Sequence, residues 1–290
     1  MTDNTVNPDA PKPVQVSTGT LLHRQRVGFM GWRPDKPDIR DDKYTLKLTH
    51  YAGAMMPVRA FLPGAEKLLP PIRDQGDQGS CTGHSTRSAI QYKRNLEKQT
   101  PIELSPRFIY YNGRVIEGTT SEDAGCEIRD VIKGVAKLGA SSEELCPYSS
   151  KVLVQRPSAR AYKEAHSDLV TSYHPVSQNQ NAIKQALLTG NPIVFGFTVY
   201  ENFMADDVAA DGLMPQPSGN VDGGHAVWMV GYDDSIKIKG ETGGVLIGNS
   251  WGSDWGCAGP NGQRGYFWMP WPLVTNSSFC DDLWTINAVS

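Results

Sequence analysis

The sequence predicts an α+β protein with two lobes, because helical patterns dominate its first half and strand patterns its second. From about residue 65 to 170, apolar residues recur at helical spacing; from about 171, short runs rich in β-branched and aromatic residues are bounded by Gly and Asp. A chain of 290 residues is long enough to bury one large core or two modest ones. We therefore expect a helical lobe at about 65–170 and a β-rich lobe at about 171–290.

Residues 1–64 form an N-terminal extension of different character. Pro and Asp recur in it, notably as Gly-Trp-Arg-Pro-Asp-Lys-Pro-Asp at 31–38, and it has neither a helical nor an alternating pattern. Proline fixes one backbone torsion and removes a hydrogen-bond donor, so we expect an extended, irregular segment. Phe29 and Met30 lie close to Trp32 in sequence, which indicates that the extension packs on the folded body.

Two helices and four strands can be placed within the lobes. Ser80 can cap a helix that begins at Cys81 and turns its apolar residues inward. A second helix fits 128–138, with its apolar residues on one face and Gly139 as its stop. The runs that indicate strands lie at 192–200, 226–232, 245–250 and 265–269.

Composition excludes several classes of function. The formal net charge is −3, too small to favour nucleic acid or an anionic membrane as a partner. The longest apolar runs are far shorter than the roughly 18 residues that span a bilayer. The N-terminus has no recognisable secretory signal, so we expect a cytoplasmic protein or one exported without such a leader. The five cysteines are too few for a disulfide-dense scaffold, and their odd number leaves at least one thiol unpaired.

The passage at 72–82, Ile-Arg-Asp-Gln-Gly-Asp-Gln-Gly-Ser-Cys-Thr, predicts a reactive cysteine. A glycine-containing loop would deliver Cys81 to the first turn of a helix, where unpaired N–H groups and the helix dipole favour the thiolate. The Gln75 amide and the Cys81 backbone N–H could together form an oxyanion hole. Two alternatives stay open: Cys81 is a buried structural residue, or it shares a metal site with His84, although no further ligands follow at suitable spacing.

A histidine and an asparagine complete the candidate catalytic set. His225 follows Asp-Gly-Gly at the start of an apolar strand, and an imidazole can accept a thiol proton and return it to a leaving amine. Asn249 ends a later apolar run, and its carbonyl can hold the ring in one tautomer. Trp251 would shield that hydrogen bond from water. Taken singly, each of these residues could be structural.

Together the three segments resemble the papain family of cysteine peptidases. Asp-Gln-Gly-x-x-Gly-Ser-Cys, Gly-His-Ala and Asn-Ser-Trp-Gly-x-x-Trp-Gly occur in that order, and His225 follows Cys81 within the roughly 130–150 residues expected. The resemblance covers about 66–290 and is closest to a bacterial branch, as the element at 31–41 suggests. It implies a helical lobe carrying Cys81 and a β-rich, barrel-like lobe carrying His225 and Asn249, with no cofactor and no metal.

In this family the substrate cleft lies between the lobes. The resemblance places Ser80, Gly125 and Cys126 on the helical wall of this cleft, where the substrate backbone pairs with the protein. It places near the specificity pocket Gly196, Gly224 and Ala226, with Trp251 beside the histidine. Such small residues would leave a pocket for bulky apolar or aromatic side chains. The sequence also departs from the family: Gln78 stands where many members have a bridged cysteine, and Thr82 and His84 stand where aromatic residues are usual.

The remaining cysteines admit two states. Local bridges could join Cys126 to Cys146 and Cys257 to Cys280, or all four could be plain thiols in a reducing compartment.

These observations favour a cysteine endopeptidase that cleaves protein or peptide substrates through a thioester acyl-enzyme. A transglutaminase-like acyltransferase would use the same thiol, but such enzymes usually orient the histidine with an aspartate. A papain-fold binding protein without catalysis is the third alternative, although every candidate catalytic residue is present. We also expect part of the extension, about 14–31, to occupy the cleft as an intramolecular inhibitor, because an extended chain fits a cleft built for extended chains; a tail without function is the competing interpretation.

Overall fold

The helical part of the fold follows the order that the sequence predicts. The computed structural model describes residues 31–38 and 55–290. Its helices are α1 (Ala65–Leu68), α2 (Cys81–Leu96), α3 (Pro106–Glu117), α4 (Ile128–Leu138), α5 (Ala159–Ala165), α6 (Gln180–Leu188), α7 (Asp206–Asp211) and α8 (Trp271–Val274). Helix α2 starts at the predicted Cys81, and α4 has the predicted bounds. Gly139 ends α4 with a φ of 81°, a conformation that costs glycine little.

Helix α3 was not predicted, although its start signals are present in the sequence. The Ser105 side chain accepts a hydrogen bond from the Phe108 N–H, and Pro106 occupies the first helical position. Helix α3 packs between α2 and α4. These three helices form the centre of the helical lobe.

The strands of the second lobe form one antiparallel sheet. The described strands are β1 (Trp32–Arg33), β2 (Arg59–Phe61), β3 (Cys126–Glu127), β4 (Val170–Pro175), β5 (Ile193–Tyr200), β6 (Val221–Ile238), β7 (Glu241–Gly248), β8 (Cys257–Ala258), β9 (Arg264–Pro270) and β10 (Cys280–Val289). The strand order is β4-β10-β5-β6-β7-β9-β8, with β2 on β6. The predicted strands correspond to β5, β6, β7 and β9, and the two-lobe α+β fold is confirmed.

The sheet register brings distant parts of the sequence together. On β5 and β6, Phe197 lies opposite His225 and Gly196 opposite Ala226. On β6 and β7, Trp228 lies opposite Gly248, so the residues after β7 continue alongside the start of β6. Helix α2 packs against β6, which places the start of this helix near the strand that carries His225.

The described residues of the extension fall in two stretches, 31–38 and 55–64. Strand β2 already pairs with β6, and Leu62 is buried in the core, so the body starts a few residues before 65. Residues 31–38 form a separate stretch, in which β1 pairs with β3 in a parallel ladder. Phe29, Met30 and most of the stretch expected in the cleft, 14–30, lie outside the described residues. Across 31–38 and 55–290, no helix is long and apolar enough to cross a bilayer.

Candidate active site

Cys81 is the first residue of α2 and has no solvent exposure. The preceding Ser80 does not cap the helix with its side chain. Its hydroxyl instead lies 2.6 Å from the Tyr148 hydroxyl and 3.4 Å from Nδ1 of His84. The helix therefore starts where the sequence predicts, but Ser80 holds it through a contact with the loop around Tyr148.

Burial raises the pKa of the Cys81 thiol from its ordinary value of 9.0 to about 11. Backbone hydrogen bonds from Ala226, Gly31 and Thr82 act in the opposite direction, and the nearby Asp123 carboxylate adds to the rise. The helix-start position alone favours a thiolate, so the expectation from sequence is reversed here by desolvation. The contact with Ala226 also shows that the residue next to His225 reaches the sulfur.

His225 and Asn249 form a direct hydrogen bond. The imidazole Nε2–H donates to Asn249 Oδ1 over 2.8 Å, and this oxygen also accepts the Ser250 N–H at 2.8 Å. Two donors on one oxygen fix the orientation of the amide, because its nitrogen could accept neither bond. The asparagine thereby holds the ring with Nε2 protonated and leaves Nδ1 as the nitrogen that can take a proton.

Aromatic rings enclose this hydrogen bond. Trp251 stacks on the His225 ring, with centroids 4.8 Å apart and an interplanar angle of 23°, while Phe197 meets the ring edge-on at 5.8 Å. Trp251 is 2% exposed, and Trp255 packs perpendicular to it. Because water is excluded, it cannot compete for the imidazole N–H.

Gln75 is buried against the segment that follows Asn249. Its Oε1 accepts the Ser250 hydroxyl at 2.6 Å, its Nε2 donates to Gln78 O at 2.7 Å, and its backbone N–H donates to Ser250 O. The Tyr148 hydroxyl donates to Gln75 O at 2.6 Å. These bonds leave the second Nε2 hydrogen for another acceptor and tie the loop before Cys81 to the histidine–asparagine pair.

Residues 31–38, hereafter the strap, cross the cleft at Cys81. Gly31 is at the sulfur, and its carbonyl accepts the Cys126 N–H over 2.7 Å. Gly31 also bridges to Gly224 on the opposite wall. A side chain at Gly125 would place its Cβ 2.2 Å from the Gly31 carbonyl, so the close approach requires glycine. Four of the predicted cleft residues therefore surround this one stretch of chain: Gly125, Cys126, Gly196 and Gly224.

The Trp32 side chain fills the pocket between Gly196 and Gly224. A Cβ on Gly196 would come within 1.9 Å of the indole, and one on Gly224 within 2.4 Å of the Trp32 carbonyl. Trp32 is 6% exposed. The two missing side chains thus create the space that an aromatic residue occupies.

A carboxyl pair anchors the strap beyond Trp32. Asp282 Oδ2 accepts the Trp32 indole N–H at 2.9 Å and the Asp35 N–H at 2.8 Å. Asp35 in turn accepts the Trp284 indole N–H at 2.8 Å and the Arg129 backbone N–H at 3.1 Å. Burial raises the pKa of Asp35 to about 7, with a further rise from Asp282, whose own pKa burial raises to about 6.

Sequence reasoning missed Tyr148, Ser250 and these strap anchors. Ser250 stands inside the Asn-Ser-Trp motif, which offered a signal, whereas Asp282 and Trp284 carried none. All five cysteines are free thiols, so neither of the two local bridges considered for them is formed. The functional roles assigned to the cleft residues remain predictions.

Residues 60–270 match the sequence model of the papain family cysteine proteases. An uncharacterized peptidase C1-like protein of Acanthamoeba polyphaga mimivirus is 33% identical, and the match spans 92% of this chain and 88% of that protein. A cathepsin B-like protein of Giardia intestinalis is 32% identical, and the match spans 69% of this chain and 64% of that protein.

Solved structures agree with these matches. Xylellain, a cysteine protease from Xylella fastidiosa, is 35% identical and superposes with a TM-score of 0.78 over 91% of this chain and 97% of its own. A procathepsin B of Trypanosoma congolense superposes with a TM-score of 0.69 over 92% of this chain and 88% of its own. At 16% identity, that second match shows a shared fold alone.

Proposed function

The chain belongs to the papain family of cysteine peptidases, and on that premise we propose that Cys81 cleaves peptide bonds through a thioester acyl-enzyme and that the strap holds this site closed. The protein is a hydrolase and a near relative of xylellain. The observation that carries the catalytic proposal is the meeting of Cys81, on α2, with the β6 strand that presents His225 to Asn249.

The geometry supports a definite role for each group. Nδ1 of His225 takes the proton of the Cys81 thiol, and the sulfur attacks the substrate carbonyl carbon. The negative charge that develops on the carbonyl oxygen is stabilised by the Cys81 N–H and by the second N–H of Gln75 Nε2. The imidazolium then gives its proton to the leaving amine, and a thioester remains on Cys81.

Water completes the cycle. His225 removes a proton from the water molecule, whose oxygen attacks the thioester; the acid product leaves and Cys81 regains its proton. Asn249 keeps the ring in the orientation that serves both half-reactions. A bell-shaped dependence of the rate on pH is therefore expected: the rate rises as the ion pair of Cys81 thiolate and His225 imidazolium forms, and it falls as that imidazolium loses its proton.

The position of the strap supports the second part of the proposal, inhibition of the active site by the protein's own chain. Gly31 lies at the sulfur that a substrate carbonyl must reach, and Trp32 fills the pocket beside it. Of the predicted stretch 14–31, only Gly31 is among the described residues, and the described residues that lie in the cleft continue from it to 38. Trp32 also supports the expectation that the pocket accepts large aromatic or apolar side chains.

Alkylation of Cys81 tests both the catalytic proposal and the proposed inhibition by the strap. In a chain that begins at Asp41, iodoacetamide near neutral pH should label Cys81 selectively, with the other four thiols as internal controls, and His225→Ala should abolish this selectivity. Full-length protein should react more slowly at Cys81 and should hydrolyse peptides more slowly. Slow, uniform labelling of all five cysteines would contradict the ion pair, and equal peptidase rates of the two chains would contradict the inhibitory role of the strap.

Adding an amine acceptor to the peptidase assay separates hydrolysis from acyl transfer. Release of the free acid as the main product supports the peptidase, whereas an amide as the main product would assign the chain to the acyltransferases.

A further inference from the structure

Three carboxylates lie together at the end of the cleft that holds Arg33. Glu117 ends α3, Glu127 lies on β3, and Asp130 is in the first turn of α4; their oxygen atoms fall within 4.8 Å of one another. Glu117 and Glu127 have side chains only 7% and 8% exposed. Carboxylates this close repel one another, so the cluster favours cations. Within the same lobe, Arg129 lies 3.9 Å from Glu127 and Lys133 lies 3.8 Å from Asp130.

The strap supplies cations to this cluster. The Arg33 guanidinium forms an ion pair with Glu117 Oε2, and Lys36 Nζ lies 3.9 Å from Glu127 Oε1. The other oxygen of Glu117 is already oriented, because it accepts the Glu127 N–H at 2.7 Å and the Cys126 thiol at 3.2 Å. Glu117 therefore presents one fixed carboxylate oxygen to a basic side chain from the cleft.

The position of Arg33 follows from the extended backbone. In β1, Trp32 is in register with Cys126, and Arg33 with Glu127. Successive side chains of a strand point to opposite sides, so when Trp32 enters its pocket, Arg33 turns toward Glu117. Counting outward from the sulfur, the strap occupies three consecutive sites: Gly31 at Cys81, Trp32 in the pocket and Arg33 on the carboxylates. The strap runs away from the sulfur in its N-to-C direction, so the acyl part of a substrate, which runs toward the sulfur, meets the same sites with its residues in the reverse order, Arg, aromatic, Gly.

We infer that Glu117, supported by Glu127, is a specificity-determining subsite that selects arginine or lysine in the substrate, two residues from the residue whose carbonyl is attacked. In the closed protein Arg33 occupies this subsite, as Trp32 occupies the pocket. The inference rests on the proposed peptidase function. It assigns the substrate class as peptides in which a basic residue adjoins a large aromatic or apolar one near the cleaved bond.

The test uses the full-length chain carrying Trp32→Ala and Arg33→Gln, so that the strap competes for neither site. Two fluorogenic amides are compared, acetyl-Arg-Phe-Gly-aminomethylcoumarin and the same peptide with citrulline, which is neutral and of nearly equal shape, in place of Arg. A charge-assisted hydrogen bond to a largely buried carboxylate should favour the arginine peptide by about tenfold or more in kcat/KM. The ratio should fall as salt is raised, because Arg33 is 46% exposed at this position.

Glu117→Gln in the same background should bring the ratio close to one. It keeps the oxygen that accepts the Glu127 N–H, and because both peptides are measured on one preparation, the ratio does not depend on the folded fraction. Glu122→Gln is the matched control: it removes the same charge from an exposed neighbouring loop and should leave the ratio unchanged.

The outcomes distinguish a failure of the proposed peptidase function from a failure of the proposed subsite. If neither peptide is cleaved, the proposed peptidase function fails. If both are cleaved equally well before Glu117 is changed, or if Glu117→Gln leaves the preference intact, the subsite is overturned and the carboxylates serve only to hold the strap.

Discussion

Replacing Trp32 with alanine should release the active site in the full-length protein. The indole is 6% exposed, lies between Gly196 and Gly224, and donates to Asp282 over 2.9 Å. The strap otherwise contributes a two-residue strand and side chains that are partly exposed. Trp32 therefore carries most of the apolar area that holds the strap in the cleft.

The size of the effect follows from this burial. A tryptophan buries about 150–250 Å², which at about 25 cal/mol per Å² corresponds to roughly 4–6 kcal/mol. Truncations of buried aromatic residues to alanine cost about 3–5 kcal/mol. Taking about 3 kcal/mol, because water refills the pocket, the ratio of open to closed protein rises by roughly 150-fold. The peptidase rate of the Trp32→Ala protein cannot rise above that of the chain that begins at Asp41, which lacks the strap.

Initial rates on one fluorogenic peptide provide the assay, with wild type, Trp32→Ala and the shortened chain measured side by side. Trp32→Phe is the graded control, since it keeps most of the apolar area and loses only the bond to Asp282, worth about 1 kcal/mol. The peptidase rate of Trp32→Phe should exceed that of wild type by roughly fivefold to tenfold. Unchanged activity in Trp32→Ala, beside a shortened chain that is clearly faster, would show that the strap is held by something other than this pocket.

Three further predictions concern the anchors and the loop before Cys81. Asp35 has its pKa raised by burial and by Asp282 from 3.8 to about 7, so the docked strap retains a proton that a solvated carboxyl would lose. Docking should therefore weaken as pH rises from about 4 to 7, and the rate of full-length protein relative to the shortened chain should climb over this window; Asp35→Asn should flatten that climb. Gln75→Ala should lower kcat by about 10²–10³ with little change in KM, as expected for loss of an oxyanion donor; an unchanged kcat would remove Gln75 from the mechanism. Tyr148→Phe deletes the donor to Gln75 O and should lower kcat several-fold, while a purely structural role would lower only the unfolding midpoint.

Local sequence signals were enough to place the elements that carry the candidate catalytic groups. The predicted start of α2 at Cys81 and end of α4 at Gly139 were right, since helix ends depend on a few adjacent residues, although the Ser80 side chain does not cap α2. Helix α6, within the strand-rich half, was not predicted. Asn179 precedes it and caps it by accepting the Ala182 N–H, so a local start signal was present in the sequence.

The anchoring of the strap could not be predicted in the same way. The bond from Trp32 to Asp282 joins residues 250 positions apart in sequence, and that from Trp284 to Asp35 joins residues 249 apart. No periodicity or spacing encodes such pairs, which form only when β10 and the cleft are both in place. The pKa of Cys81 was mispredicted for a related reason: the helix start is a local feature, whereas the burial that dominates comes from the opposite lobe and the strap.

Because the segment that covers Cys81 is part of the same polypeptide, its hold on the cleft does not depend on protein concentration. A tethered ligand experiences an effective concentration in the millimolar range for short connections, so dilution cannot free the enzyme and a peptide at micromolar concentration competes poorly. On the proposed autoinhibition, each molecule carries its own stoichiometric inhibitor. Activity would then appear in one molecule at a time, through a cut in the tether or a change at its anchors.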